Sequence, residues 1–395
     1  MKTTVLLLVL VGFAYSAVFK APVHKSTSLR AQLIKEGIFS DLIARQNLSR
    51  ASSTSFVRSN SAVGKQPFVD YYDDLYTAQL SIGTPLQNFT VKVDTGATDI
   101  WVIDIICKTT ACRGSTASGY MKTQFDMAKS STFKELQWPF AVHGYCDGRV
   151  STDVMNLAGI VSEVDQGFGL AQEVIDTFEQ LPIDGVLGLA WPAYSEVDVL
   201  PLLWESIDKL DLPLFTIWLD RRAKPQEAKL GGLITYGALD NEHCDDQINY
   251  VTLSSQTYWQ FPMTRFSIGS YSSNAKAEVI SDTGTAWIGA PASAVDGVAK
   301  ATSAKFDSLN QLYTVPCNGN YPDMVFTIGG KTYNIPSSEY VIDVSLGNGK
   351  CALAIFEVAF TGWGPDWIFG NVWIRTYCNV YDIGQKRIGF AKAHY

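Results

Sequence analysis

Two short triplets carry the residues best suited to chemistry, Asp94-Thr95-Gly96 and Asp282-Thr283-Gly284. An Asp is disfavoured inside a strand, so an Asp directly after the apolar run Phe89–Val93 belongs at a strand end. A Gly two residues on permits a tight loop whose N–H groups reach the carboxylate. Two such loops facing each other would bring two carboxylates together. Close carboxylates cannot both ionise easily and so share a proton. The ionised member is then a base for water and the protonated member an acid for a carbonyl oxygen. The pair should titrate as a unit.

The elements around the triplets repeat. Val91-Lys-Val-Asp94-Thr-Gly-Ala97-Thr98 has a partner in Val279-Ile-Ser-Asp282-Thr-Gly-Thr285-Ala286. Each is followed by an apolar pair and a glycine, Val186-Leu187-Gly188 and Ile368-Phe369-Gly370, 94 and 88 residues after its Asp. A shared order at similar spacing points to two lobes on one plan. From Phe68 onward the chain reads as short strands punctuated by turns, such as Tyr76–Ile82 and Leu214–Leu219. The best helical patterns are Val199–Lys209 and then Ala292–Thr302.

A chain of 395 residues, 47% hydrophobic and 18% charged, fits two globular domains and excludes a mostly disordered protein. The net charge of −8 argues against a nucleic-acid binder. That charge is unevenly placed. Residues 1–66 hold nine basic and two acidic side chains, a net of +7, and the remainder carries −15. Lys2, the apolar run Val5–Val11 extending to Ala14, and the small residues Ala14 and Ser16 read as a secretory signal peptide, cut after Ser16 or Ala17. The run is too short to span a membrane. Residues Ser28–Ile43 show helix-spaced apolar positions, and the Ser/Thr-rich stretch Ser49–Ser61 reads as a linker.

Other chemistries find little support. There is no Cys-x-x-Cys and no His-Glu-x-x-His, and His24, His143, His243 and His394 are scattered, so neither a metal nor a cofactor is expected. Gly167-Phe-Gly169 lacks the third glycine of a dinucleotide loop. The acidic run Asp240–Asp246 reads as solvated surface. Asn47 and Asn88 are Asn-x-Ser/Thr sequons, and Asn88 is a candidate for glycosylation in an exported chain.

From about Pro67 to Ala393 the chain resembles the pepsin-like aspartic proteases, most of all their nematode members. The resemblance rests on Ile82-Gly-Thr-Pro85, Phe89–Trp101, Ile183–Ala190, Tyr258-Trp259-Gln260, Ser281–Thr285 and Trp367–Phe390. It implies an all-β dominated, bilobal fold with two related barrel-like lobes and a central cleft. It implies hydrolysis of peptide bonds at acidic pH by water activated between two aspartates. Proton sharing by close carboxylates is best known from this family's own dyad, so that coupling is carried over with the resemblance. Asp94 and Asp282 fall on the catalytic aspartates. Thr95 and Thr283 fall on the buried threonines that tie the loops together, with Gly96, Gly284 and Thr285 as loop support.

The implied organisation is a signal peptide at 1–16, a basic propeptide at 17–66, an N-terminal lobe at 67–245 and a C-terminal lobe at 246–395. Propeptide cleavage is expected between Ala62 and Pro67. The partners implied are polypeptide substrates, the chain's own propeptide as an intramolecular inhibitor, and pepstatin-type inhibitors. A monomer of the secretory pathway, lysosomal or secreted, is expected. At neutral pH the basic arm should lie across the acidic cleft, with Arg50, Arg58 or Lys65 near the aspartates. A catalytically weak or inactive peptide-binding protein on the same scaffold is the alternative.

Departures from the family pattern are visible. The position after the first triplet is commonly Ser and here is Ala97, whereas the second loop keeps Thr285. The flap stretch Phe140–Asp153 looks short. Tyr145 is the best match for the flap tyrosine, with Trp101 as its expected hydrogen-bond partner, although it also reads as an ordinary strand aromatic. Cys107 with Cys112 and Cys317 with Cys351 match family bridges. Cys244 and Cys378 are left as a third pair, and Cys146 as an ordinary unpaired surface thiol.

Overall fold

The computed structural model describes residues 17–26, 28–37, 39, 75–116, 118–142, 145–162, 165–195, 199–221, 231–358 and 364–395. The signal peptide, Asn47, His143, the cations Arg50, Arg58 and Lys65, and the expected cleavage region Ala62–Pro67 lie outside the described residues.

Strands dominate because β-branched and aromatic residues alternate between Gly-containing turns. The runs Tyr76–Ile82 and Leu214–Leu219 are strands with those bounds, and Phe89–Val93 lies inside the strand Gln87–Asp94. The sequence repeat becomes a repeat of pairing. Gly185–Gly188 runs parallel to Gln87–Asp94, with Gly188 opposite Asp94, and antiparallel to Trp101–Ile103. Trp367–Phe369 runs parallel to Ala277–Ser281, with Phe369 opposite Ser281, and antiparallel to Ile288–Ala290. Each Asp therefore leaves a central strand flanked by a strand that arrives about 90 residues later.

Leu214–Leu219 lies between Gly232–Tyr236 and Tyr377–Asp382, which in turn pairs with Arg387–Lys392. This sheet joins the two halves of the chain. Aromatic rings fill the junction. Phe215 stacks on Tyr381 at 4.5 Å, and Trp259 meets both rings edge-on. The Trp259 indole N–H, fully buried, donates to the Leu189 carbonyl at 2.9 Å. Removing such side chains from water contributes about 1.5–3 kcal/mol each.

The basic arm is ordered where it is described. Phe19–Lys25 inserts as a strand between Gly232–Tyr236 and Tyr76–Ile82. A helix, Leu29–Lys35, follows, with the Ser28 hydroxyl accepting from the Ala31 N–H as its cap. Leu33 and Phe39 enter a cluster with Trp101, Phe140 and Phe178, and Ile34 packs against it. Arg30 is buried, its guanidinium 4.4 Å from the Trp287 ring centre and 5.0 Å from that of Phe39.

Three expectations are revised. Ala292–Thr302 is the longer helix, whereas Val199–Lys209 forms only a short turn at Leu202–Glu205 and a 3-10 turn at Ile207–Lys209. Pro201 delays the start there, and the chain leaves helical geometry at Ser206. Disulfides join Cys107 to Cys112, Cys244 to Cys378 and Cys317 to Cys351. Cys146, outside those bridges, is buried rather than on the surface, because it opens the strand Cys146–Asp153 facing the Trp101 cluster. Tyr145 lies in the turn before that strand, not within a strand, because Val142 pairs directly with Cys146.

Candidate active site

Both Asp-Thr-Gly loops close on themselves in the same way. The Gly96 N–H donates to Asp94 Oδ1 at 2.9 Å, and the Gly284 N–H donates to Asp282 Oδ1 at 2.7 Å. Each glycine also makes room for the opposite carboxylate. A Cβ on Gly96 would lie 2.6 Å from Asp282 Oδ1, and one on Gly284 would lie 2.4 Å from both oxygens of Asp94. Any side chain at either position would displace the facing aspartate. The two carboxylates are thus brought together over a floor of bare backbone.

The threonines lock the loops to each other. The Thr95 N–H donates to Thr283 Oγ1 at 2.9 Å, and the Thr283 N–H donates to Thr95 Oγ1 at 3.0 Å. Each hydroxyl then donates across the divide, Thr95 to the Ser281 carbonyl at 3.0 Å and Thr283 to the Val93 carbonyl at 2.9 Å. All four bonds are buried, where an unmet polar group is costly. The downstream glycines complete the frame. A Cβ on Gly188 would strike the Thr98 carbonyl at 2.4 Å, and one on Gly370 would strike that of Thr285 at 2.3 Å. The flanking strands can pass this close only without side chains there.

Beyond that frame the two aspartates differ. Asp282 is buried and accepts from the Thr285 hydroxyl at 2.7 Å. Burial, then the nearby charge of Asp94, pushes its carboxyl up to about 7. The Thr285 hydroxyl, the Lys92 charge and the Gly284 N–H oppose the rise without cancelling it. Beneath it the Tyr381 hydroxyl lies 2.9 Å from Ser281 Oγ, and Asn379 Nδ2 donates to the same oxygen at 3.3 Å. Burial raises the Tyr381 phenol above its ordinary range. Asp94 has Ala97 where Asp282 has Thr285, and its side chain is 14% exposed. Its cationic neighbour is Lys92, whose Nζ lies 3.1 Å from Asp94 Oδ2 and whose side chain is 9% exposed.

Lys92 was not singled out by sequence reasoning. The signal was present: a Lys between two valines, two residues before the Asp, shares that Asp's face of the strand. Trp101 is buried against Phe178, with ring centres 5.4 Å apart. Tyr145 packs on the same cluster, and its carbonyl accepts from the Ile175 N–H at 2.9 Å. Asn88 is exposed, with its Oδ1 accepting from the Ser81 hydroxyl at 2.7 Å. No group of three or more His, Cys, Asp or Glu side chains among the described residues could hold a metal.

Two carboxylates presented together, one raised in pKa by burial and by its partner, form an acid–base pair able to act on a water. Comparison with known proteins agrees with that chemistry. Residues 75–393 match the family model described as eukaryotic aspartyl protease. Aspartic protease 1 of Caenorhabditis elegans is 47% identical, over 99% of this chain and 98% of that protein. Aspartic protease 17 of the same organism is 40% identical over 99% of both chains, and pepsin A of Suncus murinus is 31% identical over 99% of both. With its two loops locked as they are and its sequence matched over nearly the whole length, the chain belongs to the eukaryotic aspartyl protease family, of the strand-dominated, bilobal, pepsin-like type.

Proposed function

We propose that the protein is an aspartic-type endopeptidase that hydrolyses peptide bonds at acidic pH and is made as a zymogen. The observation that carries this reading is the mutual clearance of Gly96 and Gly284 around the opposite carboxylates. In the reaction the ionised aspartate takes a proton from water, whose oxygen attacks the peptide carbonyl carbon. The protonated aspartate gives its proton to the carbonyl oxygen. The resulting gem-diol collapses as a proton passes to the amide nitrogen, the C–N bond breaks, and the dyad regains its single proton. No covalent intermediate is required.

The zymogen reading draws support from the arm. Its strand fills the slot between Tyr76–Ile82 and Gly232–Tyr236, and Leu33 and Phe39 occupy the cluster that holds Trp101. Arg30 reaches Trp287, three residues beyond Gly284. The arm thus touches residues near both loops. Three disulfides fit an oxidising compartment, in keeping with the secretory pathway. Lysosomal or extracellular delivery, a signal peptide at 1–16, lobes divided near residue 245, a flap built on Tyr145, and glycosylation at Asn88 complete the proposal.

The test is cleavage of denatured haemoglobin or a quenched peptide by the full chain after acid treatment, with and without pepstatin. Pepstatin-sensitive cleavage is expected, with activity falling as pH rises through about 7, where Asp282 loses its proton. Asp94→Ala and Asp282→Ala should each lower kcat/KM by at least about 10²–10⁴-fold. N-terminal sequencing should locate the new terminus between Ala62 and Pro67. Pepstatin binding without any cleavage would instead make the chain a peptide-binding protein.

A further inference from the structure

Lys92 has an unusual place. It sits on the strand Gln87–Asp94 with apolar Val91 and Val93 on either side, and its own side chain turns to the face that bears Asp94. Its strand partners are uncharged, Thr77 on one side and Val186 on the other. A buried ammonium is expensive unless a counter-charge meets it closely. Among the described residues, Asp94 supplies a counter-charge at 3.1 Å. The titratable and charged groups on the surrounding elements include, among the described residues, Asp282 from the facing loop, Tyr381, which senses Asp282, and two arm residues: His24, paired opposite Thr77, and Arg30, held over Trp287.

We propose that Lys92 is a positioning residue of the dyad, whose ammonium keeps the negative charge on Asp94 and leaves the shared proton on Asp282. The geometry makes the assignment one-sided. The ammonium touches an oxygen of Asp94, whereas Asp282 is met by the Thr285 hydroxyl and the Gly284 N–H. Asp94 then takes the proton from water, and Asp282 supplies the proton to the carbonyl oxygen. Unlike a cation of the arm, Lys92 belongs to the body of the protein and stays beside the dyad after the arm is gone. This inference deepens the endopeptidase reading and rests on it for the reaction, though not for the charge distribution.

Two measurements on the acid-treated chain test it, with Lys92→Met and Lys92→Arg beside wild type. The first is the pH dependence of kcat/KM. A cation at this distance favours the ionised form of both carboxylates, so its loss moves both limbs upward, by about one pH unit. Lys92→Arg should keep both limbs in place. The second measurement needs no turnover. A glycidyl ether is opened by an ionised carboxylate, and mass spectrometry locates the ester. The label should fall on Asp94 in wild type and Lys92→Arg, and be divided between Asp94 and Asp282 in Lys92→Met. Unmoved limbs in Lys92→Met, or wild-type label on Asp282, would overturn the assignment. A wild-type protein that labels on Asp94 but cleaves nothing would sink the endopeptidase reading and leave the Lys92 assignment standing.

Discussion

The two Asp-Thr-Gly loops are alike where they hold each other and unlike where they meet their surroundings. The four threonine bonds form a near-symmetric set between 2.9 and 3.0 Å. The glycine clearances are also reciprocal. Outside that set, Asp94 has a lysine and partial exposure, and Asp282 has a hydroxyl and full burial. Symmetric parts bring the carboxylates together, and asymmetric parts make them different acids. Closeness alone makes the pair share a proton, and the unequal surroundings fix which member is the acid and which the base.

The symmetry itself is the easiest part to break. Thr283→Val leaves the Thr95 N–H and the Val93 carbonyl buried without these partners. Thr95→Val does the same to the Thr283 N–H and the Ser281 carbonyl. Two unmet buried groups at about 1–3 kcal/mol each put the loss at roughly 2–6 kcal/mol. Thr95→Val should cost a similar amount, because it strips partners from the same number of buried groups. Chemical denaturation of the full chain should show both losses, and Thr→Ser at either position should restore most of the stability. Two valine variants as stable as wild type would mean that the loops are held by the strands alone.

Next in size is the pH dependence of stability. A buried carboxyl raised from 3.8 to about 7 binds its proton more tightly folded than unfolded. The folded state therefore holds more protons between those values, and stability falls as pH rises through that window. The penalty is absent below about pH 4 and complete above about 7, on the order of a few kcal/mol. Asp282→Asn should flatten this slope, being more stable than wild type near neutrality and similar to it below pH 4. Parallel curves for the two proteins would place the ionisation cost elsewhere.

Much of this arrangement was readable from residues. The two triplets, their downstream glycines and the strand Leu214–Leu219 follow from strand periodicity and from turn chemistry, which are local signals. Thr95 and Thr283 came from family resemblance, since nothing local indicates a bond across 188 residues. Lys92 escaped because a charged residue in a strand reads as a solvent-facing position until the opposite face is known to be a cleft. Cys146 was misjudged for the same reason, because burial at a hairpin depends on what packs over it. The arm shows a third limit. Its charge was evident, yet in the described residues it is held by strand pairing and by Leu33 and Phe39, with Lys20–Glu242 an exposed ion pair at 3.8 Å. An exposed pair of that kind is worth about 0–1 kcal/mol.

The finest distinction between the loops is one hydroxyl. Ala97 and Thr285 occupy equivalent positions, and the Ala97 backbone is fixed by its carbonyl accepting from the Ala190 N–H at 2.8 Å. Thr285→Ala removes a donor that favours ionised Asp282, so its carboxyl rises further above about 7 and the alkaline limb of activity moves up, by roughly one pH unit or less. Ala97→Ser adds a donor on the Asp94 side, and the acidic limb should move down by a smaller amount, since Lys92 already stabilises the same charge. The double variant exchanges the hydroxyl between loops and should show both displacements, widening the bell from each end. If Ala97→Ser leaves the acidic limb in place while Thr285→Ala moves the alkaline one, the lysine has already taken over what a hydroxyl would do in the first loop.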